Sequence, residues 1–145
     1  MRKHVLSIIG YLVTTFAVQA VSHFVMNVDH YAAVGHMRSD PIFPLGLFSM
    51  LVQGTVMSFL FSKIDVSERT ILGALRFSWL CGTILVSYIA LAEAAKYTVP
   101  SVVSWIAVEG IVGFVQFTLF GVILGLAHKK PSTADAPLRF LRESM

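Results

Sequence analysis

Thr15, Gln19, His23 and Asn27 recur at every fourth position, the spacing that keeps side chains on one slowly drifting face of a helix. Further along, Glu109 and Gln116 stand seven apart with Gly113 between them, aligned over two turns with room left beside the backbone. Gln53 is the polar residue near the middle of another apolar run. A carboxyl, an imidazole and several amides in apolar surroundings can hold a proton, bind a polar solute, or act as acid and base. Glu109 is the most informative of them, because a carboxyl so placed must be paired or keep its proton. Sorted by position along their runs, His23, Asn27 and Glu109 fall in one half of a membrane, with Gln19, Gln53 and Gln116 near its middle. The predicted consequence is a polar pocket open to one side, with His23 facing Glu109.

The segment Asp29–Asp40 adds Asp29, His30 and His36. Their spacing fits no compact metal site, and Gly35 interrupts any helix that would align the histidines, so His30 and His36 are weak ligand candidates. No cofactor is predicted. Only His23 lies well inside an apolar run, which argues against a haem held by two histidines. The phosphate-cradling, dinucleotide, zinc-protease and nucleophile-elbow motifs do not occur. The lone Cys81 excludes an internal disulfide and reads as a small packing residue.

The elements that must position these residues follow from composition. Of 145 residues, 56% are hydrophobic and 13% charged, with a mean hydropathy of +0.76. Soluble domains carry about 25% charged residues, so this chain has more apolar surface than a water-facing fold can bury. The apolar residues fall into four runs, at about 5–28, 42–62, 71–95 and 101–127. About 20 residues suffice for a helix to cross the hydrocarbon core. A four-transmembrane-helix antiparallel bundle over 1–128 is therefore predicted, all-α, followed by a polar cytoplasmic tail over 129–145. The first run resembles a signal peptide at Arg2-Lys3-His4 and Val18-Gln19-Ala20, but its apolar stretch is longer than a signal core.

Helix starts are signalled by Asp40-Pro41, by the capping-box spacing of Asp65 and Glu68, and by Pro100-Ser101. Lys and Arg in the two tails and the middle loop number eight, against two in the alternate loops. That asymmetry predicts both termini inside, in a bacterial-type inner membrane. Tyr31, Tyr97 and Trp105 then form an aromatic belt at the outer boundary. The pI near 9.2 and net charge of +3 arise from helix flanks rather than a basic stripe, so nucleic acid is not a predicted partner.

Gly121 and Gly125 form a GxxxG, and Ser78 and Gly82 repeat the small-xxx-small spacing one helix earlier. These residues predict close packing of the third and fourth helices, with dimerisation through the glycine pair as the alternative. The functional expectation is a non-enzymatic accessory subunit or small-ligand-binding bundle in the lipid bilayer, self-associated or within a larger complex. A small-solute or proton-coupled transporter using Glu109 is the alternative, and a membrane enzyme acting on a lipid or quinone the second.

Overall fold

The computed structural model describes residues 1–35, 38 and 40–129, and every regular element among them is helical. Helix α1 (Arg2–Val21) runs on through a π-helical turn (Ser22–Met26) before the short α2 (Val28–Ala32). Helix α3 (Phe43–Phe61) and a 3₁₀ turn (Val66–Glu68) precede α4 (Ile71–Ser87). A second π turn (Tyr88–Glu93) leads from α4 into α5 (Ala94–Lys96), and α6 (Val102–His128) follows. Four continuous helical segments, Arg2–Met26, Phe43–Phe61, Ile71–Lys96 and Val102–His128, are long and apolar enough to cross a membrane. The predicted 129–145 tail lies outside the described residues except for Lys129.

Two of the helix starts differ from those read in the sequence. Asp65 does not cap α4. Its Oδ1 accepts from both the backbone N and the Oγ of Ser67, each at 2.9 Å, closing a local turn of the kind aspartate favours. The cap passes to Thr70, whose Oγ1 accepts from the Gly73 N–H at 3.0 Å. Helix α3 likewise begins at Phe43 rather than at Pro41, with Pro44 in its first turn, where a missing N–H costs nothing. Ser101 caps α6 by accepting from the Ser104 N–H at 3.3 Å.

Helix α6 is the hub. It packs along α1 on one side and α4 on the other, α3 lies against α1, and α3 meets α4 only sparsely. Contacts run in opposing order along the paired helices. His4 reaches Ser58 and Tyr11 reaches Gln53 between α1 and α3, while Tyr11 meets Phe120 and Gln19 meets Gln116 between α1 and α6.

The α4–α6 seam is built on absent side chains. A Cβ placed on Gly125 would stand 2.8 Å from the Ile71 Cα, and one on Gly121 would stand 3.0 Å from the Leu75 Cα. Ser78 lies in the same seam and donates its hydroxyl to the Phe117 carbonyl at 2.6 Å, while Gly82 leaves room for the Phe117 ring. The face carrying Gly121 and Gly125 is thus occupied by α4 of the same chain.

The distribution of side chains is inverted relative to a water-soluble bundle. Phe48, Leu80, Ile84, Val103 and Ile111 are exposed, while Ser7, Ser58, Ser78, Gln116 and Glu109 are buried. Apolar burial gains nothing over contact with lipid tails, so such helices associate through close packing and interhelical hydrogen bonds. Tyr11, Phe61, Phe120 and Leu124 fill the space between the helices.

Candidate functional site

The site is organised by the polar ladder of α1 and by the irregular turn that ends it. In the first π turn the Asn27 N–H donates to the Ser22 carbonyl at 2.8 Å, and the Asn27 Nδ2 donates to the Ser22 Oγ at 3.0 Å. Asn27 itself leaves helical geometry, at φ −123° and ψ 32°, so α2 does not continue the line of α1. The change of direction brings Tyr31 back into the bundle. Its hydroxyl donates to Glu109 Oε1 at 2.8 Å and lies 3.3 Å from the Ser22 Oγ. Burial, with the Glu109 carboxyl adding to it, holds the Tyr31 hydroxyl above the ordinary tyrosine range, which keeps it a donor.

Rings lock this corner. His23 lies flat on Tyr31, with centroids 3.6 Å apart and planes 10° from parallel. Trp105 meets Tyr31 edge-on at 6.2 Å and donates its indole N–H to the Ile89 carbonyl at 3.1 Å, inside the second π turn. Isolated π turns recur at functional sites, and both of those among the described residues line one cavity with Glu109, through His23, Phe24 and Ile89.

One turn deeper, the Gln19 Nε2 donates to the Gln116 Oε1 at 2.9 Å. Deeper still, the Tyr11 hydroxyl donates to the Gln53 Oε1, and the Gln53 Nε2 donates to the Ser49 Oγ at 3.2 Å. Between these pairs the four long helices leave a cavity of about 470 Å³. Tyr11, Thr15, Gln19 and His23 form one wall, a stretch of about 18 Å at 1.5 Å per residue. Helix α6 contributes Glu109, Gln116 and Phe117, α3 contributes Gly46, Met50 and Gln53, and α4 with the second π turn closes it with Leu85, Val86 and Ile89. The lining is mostly apolar, with a few polar groups from α1, α3 and α6 converging on it, a common make-up for small-molecule sites.

The structure brings Glu109, Gln116, Gln19, Gln53 and His23 to this one cavity. Asn27 is not among its lining residues; it ties the π turn to Ser22. His23 is not the hydrogen-bond partner of Glu109. Its Nδ1 faces the Gln19 carbonyl oxygen at 3.0 Å, and Tyr31, read in the sequence as a belt residue, takes the carboxyl instead. Tyr11, Ser22 and Tyr31 were not read as site residues. Tyr11 was within reach, one further step of four before Thr15. Tyr31 was not, because only the break at Asn27 turns it inward.

His30 stacks on Trp105 at 5.5 Å, with its Nδ1 3.5 Å from the Ser104 Oγ. Among the described residues no three of His, Cys, Asp and Glu gather as metal ligands, and His36 lies outside the described residues. At the other end of the bundle, His4 accepts from or donates to the Ser58 Oγ at 3.0 Å and meets the His128 ring at 5.7 Å. His128 is buried, with neither ring nitrogen hydrogen-bonded among the described residues, a histidine pair formed by two helix ends that apolar runs alone do not reveal.

Interhelical amide bonds in membranes are worth about 0.6–2 kcal/mol. Gln116→Leu, which strips Gln19 of its acceptor, is expected to lower stability by about that amount, read from unfolding in mixed detergent micelles. No loss would mean that Gln19 finds another partner inside the cavity. No protein family, curated protein or solved structure matches this chain.

Proposed function

We propose that this chain is a small membrane-embedded binding protein without enzymatic activity, holding its ligand in the cavity at the Glu109 end of the bundle. In this reading the four helices form an antiparallel bundle in a bacterial-type inner membrane, with both termini cytoplasmic and the cavity in the outer half. The excess of Lys and Arg in the tails and middle loop supports the orientation. The neighbours of the bundle are lipid and, along the largely exposed α3, a second copy or a larger subunit.

The observation that carries the reading is the cavity of about 470 Å³ with its polar wall of Gln19, Gln116, His23 and Glu109. Native mass spectrometry from mild detergent tests it and is expected to show a bound small molecule on each chain. A variant provides the control. Gly46 lines the cavity, and a Cβ there meets nothing within 4 Å. Gly46→Leu is therefore expected to displace the bound mass without loss of fold, and to gain up to about 1 kcal/mol from helix propensity. An unchanged bound mass in that variant would place the molecule elsewhere and sink the reading.

A transport reading has one observation in its favour, the two π turns that adjoin the Glu109 end of the cavity. A Glu109→Gln protein that assembles normally but loses solute or proton flux would favour it over simple binding.

A further inference from the structure

We infer that the cavity takes an organic cation with an apolar body, such as an amine or a quaternary ammonium, whose charge is set against Glu109. This rests on the reading of the cavity as a ligand site and names the class of ligand.

Glu109 is only 7% exposed and lines the cavity. Its hydrogen bond among the described residues comes from the neutral Tyr31 hydroxyl, and no Lys or Arg is among the cavity's lining residues. Removing a carboxylate from water is costly unless a positive charge and good hydrogen bonds offset it. Among the described residues the cavity wall supplies the hydrogen bond and no Lys or Arg, which leaves the positive charge to a guest. A buried carboxyl facing an otherwise uncharged wall favours a guest that brings a positive charge.

The remaining walls decide what kind of cation. A small inorganic ion needs several oxygen ligands to replace its water shell, and one carboxylate with a few already-bonded amides falls short. An alkylated or aromatic amine surrenders little hydration and gains from apolar contact. Phe16, Phe24 and Phe43 line the same cavity as Glu109 and His23, with Phe117 deeper. Aromatic faces attract such cations once water is excluded. The volume of about 470 Å³ admits a molecule with an aromatic ring and a charged head together.

Two probes of one shape test this: benzyltrimethylammonium and its uncharged isostere, neopentylbenzene. Binding is measured by equilibrium dialysis against the full-length protein in nanodiscs of zwitterionic lipid, with protein-free nanodiscs subtracted. Wild-type protein is expected to bind the cation at least tenfold more tightly than the isostere. Glu109→Gln is expected to lose that preference while still binding the isostere. Equal wild-type affinities would overturn the cation assignment and leave the ligand site standing, and this comparison needs no variant to fold. A tenfold preference that survives in Gly46→Leu would place the cation outside the cavity and overturn the assignment. Failure of both probes to bind at all would remove the ligand site itself, and the cation assignment with it.

Discussion

Leucine in place of Gly125 is expected to separate α4 from α6 and to destabilise the bundle by on the order of 3 kcal/mol, the upper end of overpacking costs. The Cβ alone would stand 2.8 Å from a backbone atom of Ile71 and 3.2 Å from the Ala74 Cβ, before any branch of the leucine is placed. Backbone cannot swing aside as a flexible side chain can, so the helices must part and the Ser78 hydroxyl must leave the Phe117 carbonyl. Gly110 supplies the internal control, since it lies on the same helix and a Cβ there meets nothing within 4 Å. Gly110→Leu should be neutral, or stabilising by up to about 1 kcal/mol from helix propensity. Detergent-titrated unfolding followed by circular dichroism separates the two. Similar outcomes for both variants would show that the seam does not depend on close backbone approach.

The second large effect belongs to Tyr31. Tyr31→Phe keeps the ring on His23 but removes the donor that Glu109 accepts at 2.8 Å. Removing one partner of a buried hydrogen bond leaves the other unsatisfied, at a cost of about 1–3 kcal/mol. Stability is expected to fall by about 2 kcal/mol. The same change made in a Glu109→Leu background should cost far less, giving a coupling energy of about 1–2 kcal/mol in a double-mutant cycle. Additive effects would mean that Tyr31 stabilises the fold through its ring alone.

How much of this was legible in the sequence depends on what each residue's position rests on. The four apolar segments are a property of composition and length, and helices long and apolar enough to cross a membrane stand where those runs lie. The polar ladder of α1 was legible because a helix repeats its faces locally. Continued backwards by fours it reaches Tyr11 and Ser7, both buried. Residues placed by departures from regular helix were not legible. Nothing in Ser22–Met26 announces a π turn, and without it Tyr31 reads as a residue at the membrane boundary. The neighbour of Glu109 differs from the one that spacing predicts for the same reason. Spacing aligned His23 with the carboxyl's half of the bundle, but a change of chain direction at Asn27 decided which side chain arrived. The competition between Asp65 and Thr70 for the start of α4 was likewise settled by a local turn that spacing alone does not show.

The hub position of α6 has a consequence for how the protein is made. A ribosome delivers α1, α3 and α4 before the helix that two of them gather around. Until α6 emerges, the Gln19 amide lacks Gln116, the Ser78 hydroxyl lacks the Phe117 carbonyl, and α4 has only a sparse contact with α3 to hold it. Without the last helix, the chain keeps only the α1–α3 packing and a sparse α3–α4 contact. The last segment to be made thus carries the partners that join α4 to the rest.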